Sequence, residues 1–370
     1  ISSGDWAATM FSQNPNNRYV VYNYIFNNSV RVLNMNNPKF SNTDGETSIW
    51  WRISDNEDDR GDFINKQALD SNKGIIYSNY GNGQIIAYYG WDDFTLSEQG
   101  SVADTYIISG LARDITSLNV SPFETSSSTL YAGGITGDLW KIENADNNNS
   151  QNVSVISNSD FIGSISDIEF GKDEDHIFVT MYNYGVNNIF YTNDNGKNWL
   201  KKDGNLPDLP VYSILQNPLN EDEVIIGTEL GVWFTKDFFS ENPTWKQANA
   251  GMRDLRVTDM DLRKGDNTVF ISTYGLGIYS GIFTNNDPNL TLDTDKKQLE
   301  IFLGQSGSFK INYSAINGFS ENVNFSISGL PSNSDYTTDP VSPIFIDSDG
   351  SITVNINVND DEDVKTYPLT

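Results

Sequence analysis

The chain has 370 residues, no cysteine and a formal net charge of −27. Its length suits two or three domains. The missing thiols exclude disulfides and cysteine–metal centres, and the acidic balance excludes a nucleic-acid or anionic-membrane surface, which needs clustered Lys and Arg.

Apolar residues make up 37% of the chain, with 18 Tyr, 20 Phe and 8 Trp. Abundant Asn, Ser, Asp, Gly and Thr fill much of the remainder. Such a mixture favours strands joined by many tight turns. No apolar run approaches the ~18–20 residues that span a bilayer, so no membrane insertion is expected. The chain opens at Ile1 without a basic and apolar leader. It reads as a processed or partial piece of a longer protein.

Taken in chain order, one unit recurs. A strand is followed by a polar turn, an apolar strand ending in a small residue, a turn and an aromatic-rich strand. The copies fall at 8–11, 19–22 and 30–32; at 63–69, 75–78 and 84–86; and at 115–120, 130–133 and 137–140. They continue at 165–170, 177–180 and 188–191; at 213–218, 224–228 and 231–234; and at 257–262, 269–272 and 277–279. The period of roughly 45–55 residues is the size of a four-stranded propeller blade. Stacked sandwiches would repeat nearer ~100 residues. The predicted fold is all-β: a six- or seven-bladed β-propeller over 1–284, with a seventh blade placed upstream of Ile1. A linker over 285–289 follows, then a partial immunoglobulin-like β-sandwich over 290–370.

Within the fourth copy, Thr192, Asp194, Gly196 and Trp199 fit Ser/Thr-x-Asp-x-Gly-x-x-Trp. A short Asp accepts bonds from its own turn's amides, Gly supplies a positive φ, and Trp is free to bury its ring between blades. A degenerate copy follows with Thr235, Asp237 and Trp245. The region 164–283 resembles the Asp-box (BNR, sortilin-like) propellers. The run Asp203-Gly204-Asn205-Leu206-Pro207 and the ending 272–279 carry the same likeness. The resemblance implies a structural role for these acids. It also implies kinship with glycoside hydrolases and with surface proteins exported by type IX secretion.

Catalytic candidates are few. His176 is the sole histidine and sits in an acidic turn, which disfavours a Ser-His-acid triad. No Arg-Ile-Pro motif of the sialidase kind precedes the blades. A hydrolase of neutral glycans needs only two carboxylates. Asp5 and Asp62, each preceding a blade's first strand, are the pair in best position; the competing role is turn capping. Trp50, Trp51, Trp91, Tyr182 and Tyr184 are candidates for stacking on sugar rings, against the alternative of packing between blades. Acidic turns at 55–59 and 360–363 offer hard oxygen ligands of the kind calcium takes, though neither is an EF-hand.

After 285–289, alternating strands are expected at 290–292, 299–303, 307–313, 323–327, 344–346 and 352–358, with turns at Asn317-Gly318 and Asp349-Gly350. The stretch from Gly318 to Pro331 resembles the G-F-x-x-x-V-x-ϕ-x-ϕ-x-G-L-P signature of bacterial immunoglobulin-like modules. The expected function is a non-catalytic binding or display module of a secreted or cell-surface protein, with a glycan or a surface protein as ligand. The rival expectations are a neutral-polysaccharide hydrolase and a passive subunit of a larger surface assembly.

Overall fold

A computed structural model describes residues 6–24, 29–35, 50–54, 60–92, 103–112, 114–248, 254–284, 288–360 and 366–368. The chain divides into two compact units, Ile1–Phe283 and Thr284–Thr370.

The first unit is a series of antiparallel sheets, each built from consecutive strands. The first sheet comprises β1 (Trp6–Phe11), β2 (Tyr19–Tyr24), β3 (Ser29–Asn34) and β4 (Trp50–Arg52). The second holds β5 (Gln67–Asp70), β6 (Ile75–Gly81), β7 (Gln84–Tyr89) and β8 (Asp104–Ile108). The third holds β9 (Ile115–Val120), β10 (Leu130–Gly134), β11 (Leu139–Glu143) and β12 (Asn152–Val155). The fourth holds β13 (Ile165–Phe170), β14 (Ile177–Met181), β15 (Ile189–Thr192) and β16 (Leu200–Lys201). The fifth holds β17 (Val211–Gln216), β18 (Val224–Thr228), β19 (Gly231–Thr235) and β20 (Lys246–Gln247). The sixth has three strands among the described residues: β21 (Val257–Arg263), β22 (Thr268–Thr273) and β23 (Gly277–Ile282).

The core lies between sheets rather than inside one. Val21 and Val32 of the first sheet meet Ile76 and Trp91 of the second. Tyr77 and Ile85 then meet Ile115 and Leu130 of the third. The same layering continues through Tyr131 and Phe190, through Phe178 and Trp245, and through Leu215 and Val269. Strands such as β10 and β14 therefore bury both alternate sets of side chains and read as continuous apolar runs. The first strand of each sheet from the second onward neighbours the first strand of the next, so these strands gather about one axis.

One strand differs from the sequence expectation. Residues 63–66 do not join a ladder, and Phe63 and Ile64 are exposed. The Asn65 side chain replaces the strand there. It accepts from the Asp62 amide and donates to the Asn79 carbonyl at 2.8 Å. A local side chain bond of this kind competes with regular pairing.

The second unit pairs β24 (Asn289–Thr294), β25 (Ser306–Ile316), β29 (Gly350–Asn357) and β27 (Asp335–Asp339) in that order. β26 (Glu321–Val323) and β28 (Ile344–Ile346) form a smaller sheet. Phe319, Val323 and Phe325, from the stretch that carries the module resemblance, pack against Ile344, Ile346 and Ile352. Residues 299–302 lie outside any strand, and β26 stops at Val323 instead of continuing to 327. The apolar side chains of Leu299 and Ile301 lie against Gly307. Their alternation marks packing, and the backbone stays out of the ladder.

Candidate functional site

The turn at Thr192–Trp199 closes on itself. Thr192 donates its hydroxyl to Asp194 Oδ1 at 2.7 Å, which also accepts the Asn198 amide at 2.9 Å. Asn195 and Gly196 take φ of 58° and 82°. Trp199 Nε1 donates to the Ile156 carbonyl of the preceding sheet at 2.7 Å. The second turn repeats the plan. Asp237 accepts from the Thr235 hydroxyl and the Thr244 amide, and Trp245 Nε1 donates to the Lys202 carbonyl at 2.9 Å. Burial alone would raise the Asp194 carboxyl, but bonds from Asn198 and Thr192 hold it below its ordinary value. The Thr235 and Thr244 bonds do the same for Asp237. Both acids are spent on their own turns, and the tryptophans tie sheets together.

The opposite end of the unit is where each first strand begins and each second strand ends. There, aromatic side chains from three sheets line up. Tyr182 and Tyr184 sit in the connection between β14 and β15, and the Tyr182 amide donates to the Ser164 carbonyl. Tyr182 stacks on Tyr212 of β17, with centroids 6.1 Å apart and planes 8° from parallel. Arg256, just before β21, lies 5.6 Å over Tyr212 and 5.0 Å over Tyr274. The Tyr212 hydroxyl donates to Glu229 at 2.6 Å, and Glu229 lies 3.6 Å from Arg256 Nε. Burial, then Glu229, pushes the Tyr212 hydroxyl up to about 12, so it stays a donor at neutral pH. Tyr184 is 62% exposed and Tyr274 70%. Beside the ladder lies an open depression of about 380 Å³, lined by Gly185, Val186, Asn188, Leu206 and Pro207 among others. Cation–π and stacking contacts hold the rings in place while their edges remain wet.

Tyr182 and Tyr184 are thus brought together with three residues that sequence reasoning passed over: Tyr212, Arg256 and Tyr274. Their one sequence signal is position, since each falls at a strand start or in a second-to-third-strand turn. Trp91 is a correction to the stacking candidates. Of the two roles open to it, stacking on a sugar ring and packing between sheets, it takes the second. The ring is fully buried against Tyr19, edge-on at 4.9 Å, with Nε1 donating to the Tyr88 carbonyl. It fills the gap between the first two sheets. Trp50 and Trp51 belong to β4, but their side chains lie outside the described residues.

Asp5 also lies outside the described residues, so its relation to Asp62 is not defined. The Asp62 carboxylate accepts from Asn79 Nδ2 at 3.0 Å, while Asn79 also reaches the Ile115 carbonyl of the next sheet. Burial, then the charge of Asp114, raises the Asp62 carboxyl. Asn79 thereby links the turn at Asp62 to the next sheet. His176 contacts the Asp173 carboxylate through Nδ1. The acidic turn at 55–59 and most of 360–363 lie outside the described residues. Among the described residues no three acidic or histidine side chains converge as a metal site would require.

Near the axis, Asp167 and Glu169 of β13 keep partial solvent contact yet are enclosed by protein, as groups lining a narrow channel are. Burial raises both carboxyls; the charge of Asp259 adds to it at Asp167, and the charges of Asp167 and Asp261 add to it at Glu169. The sign follows from linkage. A carboxyl raised in the folded state holds its proton above the pH at which the unfolded chain loses it, so stability falls as pH rises through that interval. The first unit is expected to be more stable at pH 5 than at pH 8 in urea unfolding. Glu169→Gln should raise stability at pH 8 and flatten the profile, on the order of 1 kcal/mol, or about 2–4 °C in Tm. An unchanged profile would show that Glu169 titrates alike in both states.

No family model matches the chain, and no curated protein matches it. Among solved structures it is similar to one described as the structure of U3-55K and to the crystal structure of RRP9 WD40 repeats. Both matches have a TM-score of 0.52 at 10% identity and cover 76% of this chain. They cover 78% and 77% of the respective structures. At that identity the likeness is one of fold, and it makes the series of sheets a β-propeller.

Proposed function

We propose that the propeller is a non-catalytic binding or display module of a secreted or cell-surface protein, engaging a glycan or another surface protein. The observation that carries this reading is the Tyr182–Tyr212–Arg256–Tyr274 ladder, with Tyr184 beside it, at the end where the first strands begin. Rigid aromatic rings give large contact area at low entropic cost, and most suit flat, neutral partners such as sugar rings. The acidic surface disfavours anionic ligands. The self-contained turns at Asp194 and Asp237 support kinship with Asp-box propellers, and the second unit is read as an immunoglobulin-like spacer.

The test has two arms. In a binding screen against immobilised neutral polysaccharides, Tyr184→Ala and Tyr274→Ala should each weaken binding five- to thirty-fold, about 1–2 kcal/mol, with the fold intact. Unchanged affinity in both variants would remove the ladder from the interface. In the second arm, release of reducing sugar that disappears in Asp62→Asn would replace the binding reading with hydrolysis. An absence of both binding and hydrolysis would favour a passive subunit of a surface assembly.

A further inference from the structure

Equivalent positions can be compared blade by blade because the strand registers repeat. The third-strand residue opposite Asn79, Gly133, Thr180, Gly227 and Ser272 is Ile85, Leu139, Ile189, Val232 and Ile278 in blades two to six. The first four are 0%, 0%, 0% and 5% exposed, because the next blade covers them; Ile278 is 72% exposed. Phe270 and Ile282 on the same face of the sixth blade are exposed too.

That face also carries the polar hooks that join earlier blades. The second residue of β9, Thr116, donates its hydroxyl to the Ile165 carbonyl of the next blade at 2.7 Å. Ser166, second in β13, does the same to Val211 at 2.6 Å, while its hydroxyl also contacts Thr180. Thr258 holds that place in β21. It keeps the local contact, to Ser272 at 2.7 Å, and has no cross-blade carbonyl among the described residues. Asp167 accepts the Ile168 amide locally and the Ile214 amide of the next blade at 3.0 Å. Asp259, its counterpart, accepts the Met260 amide and no cross-blade amide among the described residues. The small position is kept as well. Gly133 and Gly227 admit Ile165 and Val257 of the following blade, and Ser272 stands at that place in β22.

We infer that the outer face of the sixth blade is a socket for one further antiparallel blade of the same repeat in the same natural polypeptide. Its innermost strand lays a backbone carbonyl on Thr258 and a backbone amide on Asp259, and its apolar face covers Phe270, Ile278 and Ile282. A second copy docked through the same face would bring Asp259 and Asp261 against their own counterparts, a like-charge contact that the extra blade avoids. The inference is independent of the ladder and of any ligand.

The test compares amide hydrogen exchange over 258–262 and 277–282 in the 370-residue chain and in the polypeptide isolated from its source cell. Exchange is expected to be fast in the former and slowed by orders of magnitude in the latter. Ile278→Asp should lower Tm only in the isolated polypeptide. Equally fast exchange in both proteins overturns the inference. So does protection in the 370-residue chain that rises with concentration alongside a dimer in sedimentation, which assigns the face to a second copy.

Discussion

Trp245→Ala is expected to cost the propeller about 3–5 kcal/mol, a large share of the ~5–15 kcal/mol that holds a folded domain together. The ring is 1% exposed, stands edge-on to Phe238 and lies in the layer between the fourth and fifth blades. Truncation removes that packing. It also strands the Lys202 carbonyl, and an unpaired buried acceptor adds its own penalty. Trp199→Ala should cost less, because the equivalent ring is only half-buried. Urea unfolding of both variants and of Trp245→Phe separates the terms. The Phe variant keeps most of the apolar area and loses the indole donor, so its loss of about 1–2 kcal/mol measures the bond to Lys202. Equal losses for Trp199→Ala and Trp245→Ala would mean that burial at these sites does not set the strength of the ties between blades.

Gly204→Ala is the second large effect. Gly204 has a φ of +48°, and an added Cβ would stand 1.9 Å from the Pro243 carbonyl oxygen. Backbone meets backbone there, so no side chain rotation relieves the contact. The left-handed conformation costs about 1–2 kcal/mol for an L residue. Forced displacement of the facing turn adds about 1–3 kcal/mol. Gly185→Ala is the matched control: φ is +74° and nothing lies within 4 Å of the added atom. It should lose only the conformational part. A Gly204→Ala protein no less stable than Gly185→Ala would show that the turn at Pro243 moves freely.

The strands were legible because each blade repeats one local pattern, and the registers of β9 with β10 and of β17 with β18 follow the predicted segments closely. Local side chain chemistry spoiled the pattern once, at Asn65, where amide bonds replaced strand pairing. The candidate site was half legible. Tyr182 and Tyr184 stood out as loop aromatics. Tyr212, Arg256 and Tyr274 did not, because they lie in different repeats and meet only when successive blades turn about the axis. Trp91 looked like Tyr184 in sequence, an aromatic beside a glycine. The blade opposite made it core.

The amino-acid sequence by itself determined what is local: strand period, the turn at Thr192–Trp199 and the glycines with positive φ. These depend on neighbours a few residues away. Tertiary structure alone decided exposure. Ile189, Val232 and Ile278 are similar residues at one position of the repeat, yet two are buried and one stands in water. Burial belongs to the surface that faces a side chain, and in a propeller that surface comes from the next blade.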